Sequence, residues 1–172
     1  DVPLTTADGI VISKQGMLAA LGDSNNAKDV PVIAGANRDE VTLWMSRHRY
    51  FVNADYMLTR WLPPRITLKD PDLYAFWTRI RSEAWKIRGV DEPLAAMEAA
   101  GYPALYAYRF DWDDQENSFF ADFPHLIGAA HAIDIAFVTG AYTYGPISSY
   151  VYPKGESRDQ MQDLMMSAWA EF

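Results

Sequence analysis

Val30–Glu40 reads V-P-V-I-A-G-A-N-R-D-E and contains the stretch that decides the fold. Its first part, Val30–Gly35, is a short apolar run rich in β-branched residues, which is typical of a strand buried on both faces. We expect Gly35 to end this strand. Because such a strand needs helices on either side of its sheet, the segment predicts an α/β fold.

The chain around this strand carries further helix and strand signals. Helices are predicted over 54–62, closed by Pro63-Pro64, over 71–88, closed by Gly89, and from Pro93 to Ala100, closed by Gly101. Alternating aromatic residues predict a second strand over Ala104–Trp112. The helix over 71–88 has an apolar stripe that we expect to face the core, formed by Leu73, Phe76, Trp77, Ile80, Ala84 and Ile87.

The carboxyl-terminal helix begins with a different signal. Ser157 stands three residues before Gln160, which predicts a capping box. The apolar face of this helix is formed by Met161, Leu164, Met165, Ala168, Trp169 and Phe172. No repeat or linker divides the chain, so residues 1–172 are expected to form a single unit with few strands and several helices. Two strands are too few for a complete parallel sheet, so we expect strands to be missing from this unit.

Composition excludes several classes of function. Fifteen Lys and Arg against 23 Asp and Glu give a formal charge of -8, so the chain is a poor ligand for nucleic acid. No apolar run approaches the roughly 20 residues that span a bilayer. There are no cysteines, which excludes disulfides and a cysteine nucleophile but leaves the cellular compartment open.

Two acidic residues follow the first strand directly. Functional groups of open α/β sheets lie at the carboxyl ends of strands, so Asp39 or Glu40 could be catalytic. Alternatively, both acids interact favourably with the first turn of a following helical segment, Val41–Met45, through the helix dipole. Position alone favours this second interpretation.

His131 is the histidine among the three that could carry chemistry, because small residues on both sides leave room for its imidazole to reach a partner. His48 is expected on the surface, and His125 in a loop with a backbone partner. No pair of histidines has the spacing of a zinc site, and no cofactor-binding motif occurs, so neither a metal nor a cofactor is predicted.

A serine nucleophile is not predicted in this chain. The G-x-S-x-G elbow is absent, and the nearest stretch, Gly155–Asp159, lacks the second glycine. Ser157 in that stretch is already explained as a helix cap. No glycine-rich segment of the kind that forms an oxyanion hole occurs either.

Three stretches together resemble the type B carboxylesterase family, the cholinesterase-like α/β-hydrolases. They are V-P-V-I-A-G-A-N-R-D-E at Val30–Glu40, Y-A-Y-R-F-D-W at Tyr106–Trp112, and G-A-A-H-A-I-D-I-A-F-V at Gly128–Val138. The resemblance implies that the chain is the carboxyl-terminal part of an α/β-hydrolase fold. It also implies a serine hydrolase that acts on a small-molecule carboxylic ester.

The resemblance assigns roles to three residues. Glu40 is similar to the acid of a Ser-His-Glu triad, His131 to its base, and Asp134 to a supporting acid, while the serine would lie upstream of Asp1. The missing amino-terminal part of the same protein would then be a partner, and the fragment alone would be inactive and would tend to self-associate. The family usually has glycine after both the catalytic acid and the base, where this chain has Val41 and Ala132.

Two other functions are compatible with the sequence. The same family contains catalytically inactive adhesion proteins, so the chain could be a binding module, although retention of both Glu40 and His131 argues against this. The acids from Asp111 to Glu116 could instead serve a glycosidase, which needs two carboxylates at a fixed separation. Adjacent acids at the end of one strand rarely converge in that way.

Overall fold

A computed structural model describes residues 7–56 and 63–172 of the chain. These residues form a mixed fold of helices and short strands, which is compatible with the predicted α/β class. In chain order the elements are α1 (Met17–Leu21), β1 (Val32–Asn37), α2 (Thr42–Met45), β2 (Val52–Asp55), β3 (Arg65–Leu68), α3 (Pro71–Lys86), α4 (Glu92–Ala100), β4 (Leu105–Phe110), α5 (Phe123–Leu126), α6 (Ile135–Thr139), α7 (Ser148–Val151) and α8 (Glu156–Glu171).

The described strands form two separate pairs. β1 pairs with β4, and β2 pairs with β3 in antiparallel register, with Val52 opposite Leu68. In the first pair the amide of Val32 donates to Ala104 O and the amide of Arg38 donates to Phe110 O. Both partners advance together along the chain, so β1 and β4 run parallel. The two strands expected from the sequence are therefore present.

The first strand differs in detail from the expectation. Gly35 does not end β1, which continues to Asn37, but lies against the ring of Tyr108, where an added Cβ would be 2.2 Å from ring carbons. Only Ala36 and Asn37 of β1 are buried, and the rest of the strand is partly exposed. The prediction of a strand buried on both faces is wrong for the described residues, because residues Val32–Gly35, which lie on both faces, are only partly covered.

Two helix boundaries were wrong. Residues Val52–Asp55 form β2, so the helix expected over 54–62 does not begin there, and 57–62 lie outside the described residues. Gly89 does not end α3, because a π-helical turn over Ile87–Asp91 leads on into α4. Gly101, at a φ of 89°, does end α4 as predicted.

The apolar stripe predicted to face the core is largely exposed. Phe76, Trp77 and Ile80 are 47%, 41% and 43% exposed. The buried face of α3 consists instead of Tyr74, Thr78 and Ser82, which carry hydroxyl groups. This face can be buried because each hydroxyl has a partner: Tyr74 donates to Leu126 O, Thr78 donates to Tyr74 O, and Ser82 accepts from the amide of Val41.

The capping box predicted for the last helix is also wrong. α8 begins after Gly155, and Ser157 lies within the first turn. Its hydroxyl accepts from Trp112 Nε1 at 3.0 Å and donates to Asp114, so it is not available to cap the helix. Of the predicted apolar face, Met165 is buried while Leu164 is 64% exposed.

The described residues divide into two compact groups. The first contains the chain up to Ala36 and Ala84–Tyr108, with α1 packed against α4. The second contains described residues of Asn37–Glu83 and Arg109–Phe172. Their compactness does not bear on the expectation of one unit within a larger domain, which stays a prediction.

The second group has an aromatic core centred on Phe137, a residue of α6. Phe137 is fully buried, and its ring contacts the rings of Phe110, Trp112, Tyr142 and Tyr152 at centroid distances of 4.8–6.0 Å. Such a core fixes the helix that follows the His131 loop.

Among the helices of residues 7–56 and 63–172, none has the length and apolar character that a membrane span requires.

Candidate active site

Glu40 and His131 meet in the second group of residues. His131 Nδ1 lies 2.7 Å from Glu40 Oε2, although 91 positions separate the two residues. The Glu40 side chain is only 6% exposed, whereas that of His131 is 42% exposed. A buried carboxylate therefore holds one ring nitrogen of an imidazole that remains accessible to solvent.

A bridge between the two loops brings this pair together. The amide of Asp39 donates to Ala129 O at 3.0 Å, and the amide of Ala129 donates to Asp39 Oδ2 at 3.1 Å. Gly128 makes this approach possible, because a Cβ on it would lie 2.5 Å from Asp39 Oδ2. Its φ of 57° also favours glycine. The residues adjoining the bridge, Glu40 and His131, are then joined by a bond from the His131 amide to Glu40 O.

Asp39 is fixed from the other side by Arg38. The guanidinium of Arg38 binds Asp39 Oδ2 at 2.8 Å and Asp113 Oδ2 at 2.5 Å. Partial burial disfavours the charge of Arg38, but hydrogen bonds and attraction to these two carboxylates raise its pKa well above the usual value. Asp113, from the acidic segment considered for a glycosidase, thus pairs with a cation beside the Glu40 loop.

The alternative interpretation of Asp39 and Glu40 as dipole partners of a helix stays a prediction. Thr42–Met45 does form the expected helix α2, but no acidic residue lies in its first turn. Both acids precede Val41, the residue that caps it, and both carboxylates bind groups outside the helix.

Asn37 was not singled out by the sequence, yet it binds Glu40, Ala130 and Asp134. Its amide N–H donates to Glu40 Oε1 at 2.8 Å, and its side-chain nitrogen donates to Ala130 O at 2.6 Å and to Asp134 Oδ1 at 3.0 Å. Asn37 is 4% exposed. A glutamate that accepts from the backbone N–H three residues earlier is one half of a capping box, so the N-x-x-E spacing was an available signal.

Asp134 lies beside the pair rather than in it. It directly precedes α6, and one of its carboxylate oxygens accepts from Asn37. The structure thus connects the predicted supporting acid to Glu40 through Asn37.

The two positions where the sequence departs from the family pattern differ in their backbone. Val41 has a φ of −92°, which a β-branched residue adopts without strain. Ala132 has a φ of 67°, in the left-handed region that costs an L residue about 1–2 kcal/mol. The residue after His131 therefore adopts a conformation that suits glycine.

Two further side chains border the site. The ring of Trp44, which is 49% exposed, lies against the His131 ring. Gln115 is buried and donates to Gly128 O at 2.9 Å, while its Oε1 has no hydrogen-bond partner among the described residues. Trp44 gives the imidazole an aromatic neighbour, and Gln115 binds the start of its loop.

The other histidines lie elsewhere. His48 is exposed, as predicted, and accepts from the amide of Tyr50. His125 lies in α5 rather than in a loop, and its partner is the Asp122 side chain at 3.0 Å rather than a backbone group. Over residues 7–56 and 63–172, no cluster of three acidic or histidine side chains is arranged to hold a metal ion.

Comparison with protein-family models, with curated proteins and with solved structures found no match for this chain. What the site can do therefore follows from its own geometry. A buried carboxylate bound to Nδ1 selects the tautomer with its proton on that nitrogen, which leaves the lone pair on Nε2. An imidazole in this state can act as a general base.

Proposed function

We propose that this chain supplies the acid and the base of a Ser-His-Glu triad in a serine carboxylic ester hydrolase of the cholinesterase-like α/β-hydrolase class. Glu40 is the acid, His131 is the base, and Asp134 has a supporting role. The serine belongs to a polypeptide segment outside these 172 residues, upstream in the same protein. The substrate is a small-molecule carboxylic ester.

The 2.7 Å contact between Glu40 Oε2 and His131 Nδ1 is the observation that carries the proposal. A carboxylate in this position orients the imidazole and stabilises the imidazolium that forms during the reaction. Burial of Glu40 beside an accessible His131 is the arrangement that an acid and a base of a triad require, because only the base meets the substrate.

The reaction then proceeds in two steps. His131 Nε2 takes the proton from the serine hydroxyl as its oxygen bonds to the carbonyl carbon of the ester, and returns this proton to the alcohol as the carbon–oxygen bond breaks. Water repeats the attack with the same base, which releases the carboxylic acid and restores the serine. Glu40 remains ionised and hydrogen-bonded to Nδ1 throughout.

Hydrolysis of p-nitrophenyl butyrate by the intact gene product tests this proposal. His131→Ala is expected to reduce kcat/KM by about a thousandfold or more, because the serine loses its base. His125→Ala is the matched control, since His125 also pairs with a carboxylate but lies elsewhere in an exposed position. Its activity is expected to equal that of the wild type.

A fluorophosphonate probe, which reacts with activated serines, gives a second measurement. The wild-type gene product should be labelled, and the His131→Ala protein should be labelled far more slowly. If the intact protein neither hydrolyses the ester nor reacts with the probe, the proposal is wrong. That result would favour the alternative, an inactive binding module of the same fold.

A further inference from the structure

We propose that Asn37 is a positioning residue for the acid and the base, holding Glu40 with its main chain and the His131 loop with its side chain. This inference rests on the proposed function, which assigns roles to Glu40 and His131. It adds a residue that binds Glu40 directly and binds residues on either side of His131, and that has no role in the chemistry itself.

The main chain of Asn37 determines which oxygen of Glu40 serves the base. The Asn37 amide donates to Oε1, and His131 binds Oε2, so each carboxylate oxygen has its own partner. Because Glu40 is buried, these hydrogen bonds replace those it would make to water. The carboxylate is therefore held on both sides.

The side chain of Asn37 fixes the backbone around the base. A primary amide has two N–H groups, and those of Asn37 donate to Ala130 O and to Asp134 Oδ1. These acceptors lie just before and three residues after His131. Neither alanine nor an ionised aspartate could make these two donations at position 37, so either replacement removes both of them.

Loss of the side chain should disturb the base without removing substrate contacts. The loop around His131 would lose two hydrogen bonds, one of them buried, and the imidazole would no longer be held in line with Oε2. Misplacement of a catalytic group by about 1 Å can cost a hundredfold in rate. We therefore expect kcat to fall by about tenfold to a hundredfold while KM changes little.

Gln115 provides a matched control. It is also a buried primary amide, and it donates to a carbonyl of the same loop, Gly128 O. This hydrogen bond involves neither Glu40 nor Asp134. Asn37→Ala, the nearly isosteric Asn37→Asp and Gln115→Ala are compared in the intact gene product. Thermal unfolding is measured for each variant, and the assays are run at a temperature at which all three variants are folded. If Asn37→Ala does not fold, Asn37→Ser takes its place.

The decisive measurement is the NMR signal of the His131 Nδ1 proton, observed with selectively labelled histidine. The signal should persist in Gln115→Ala and be lost or strongly broadened in both Asn37 variants, and the loss of kcat should be larger in the Asn37 variants than in Gln115→Ala. Persistence of the signal in the Asn37 variants, or equal losses in Gln115→Ala, would overturn the proposal. This signal does not depend on ester hydrolysis. An inactive wild type would therefore refute the proposed function, while the NMR signal would still test whether Asn37 positions His131.

Discussion

The indole of Trp44 lies against the imidazole of His131, with ring centroids 5.1 Å apart and ring planes tilted by 33°. Trp44 belongs to α2, which begins two residues after Glu40. One short segment thus provides both the carboxylate that binds Nδ1 and the aromatic ring beside the base.

Replacing Trp44 should weaken the fold modestly. Aromatic pairs contribute about 0.5–1.5 kcal/mol, so Trp44→Ala is expected to lower the free energy of unfolding by about 1 kcal/mol. Trp44→Phe keeps a ring at the same place and should recover most of this loss. Urea denaturation of the two variants measures the difference, and equal stability of Trp44→Ala and wild type would contradict the expectation.

Replacing Glu40 by its amide should abolish efficient catalysis. In Glu40→Gln the side-chain NH₂ group can face Nδ1, which favours the tautomer with its proton on Nε2 and removes the base. We expect kcat for p-nitrophenyl butyrate to fall by about 10³–10⁴-fold. The control is Asp122→Asn beside His125, which should leave kcat unchanged. A mild effect of Glu40→Gln would argue against its role as the acid.

The conformation of Ala132 makes a prediction about stability. Ala132→Gly removes the strain of the left-handed backbone and should raise the free energy of unfolding, by up to about 1 kcal/mol after the greater chain entropy of glycine is subtracted. Ala129→Gly in the same loop should have the opposite effect, because Ala129 is fully buried and lacks a positive φ. Chemical denaturation of both variants gives the sign of each change.

Gly35 and Tyr108 should be energetically coupled. A Cβ at position 35 would overlap the Tyr108 ring, so Gly35→Ala is expected to cost about 1–3 kcal/mol of stability. Tyr108→Ala in the same protein removes the overlap, and the double variant should lose less than the sum of the single losses. Gly155→Ala serves as the control, since its Cβ would have no heavy atom within 4 Å. Additive losses would rule out the coupling.

Tyr74 should make stability depend on alkaline pH. Burial, followed by the nearby charge of Asp39, raises the pKa of Tyr74 above its ordinary value. Below about pH 10 the hydroxyl is protonated in both states. Above that pH the unfolded chain ionises first, so stability is lost as pH rises, by up to about 1.4 kcal/mol per pH unit from this group.

Comparison with Tyr74→Phe isolates this contribution. The variant should show a shallower loss of stability between about pH 9 and pH 11, measured by urea denaturation. Some dependence should persist, because the pKa values of other tyrosines are also raised, those of Tyr142, Tyr144 and Tyr152. A slope identical to that of the wild type would exclude Tyr74 as a source.

The sequence located two of the four described strands, β1 and β4, but neither β2 and β3 nor the buried face of α3. β1 and β4 follow from local composition, since β-branched and aromatic runs fit a pleated strand. The buried face of α3 could not be predicted in this way, because Tyr74, Thr78 and Ser82 are buried only by virtue of partners distant in sequence, Leu126 and Val41 among them. Hydrophobic periodicity gives no information about hydrogen-bond partners that are distant in sequence.

The residues proposed as acid and base could be named from the sequence, but what holds them could not. Glu40 and His131 were identified from a resemblance, and their contact is a tertiary one between distant loops. Asn37 acts through three hydrogen bonds whose acceptors lie at positions 40, 130 and 134. Only its bond to Glu40 joins residues close in sequence, so only that bond could be predicted from the spacing of the two residues.

The 91-position separation between Glu40 and His131 has a consequence for how the site forms. Joining the ends of a loop of that length costs an unfolded chain about 4 kcal/mol of entropy, besides a constant for closure. A single hydrogen bond returns only about 1 kcal/mol. The pair therefore cannot assemble in advance as a local structure and must wait until the surrounding core has closed the loop. During folding, the bond between imidazole and carboxylate should be among the last to appear.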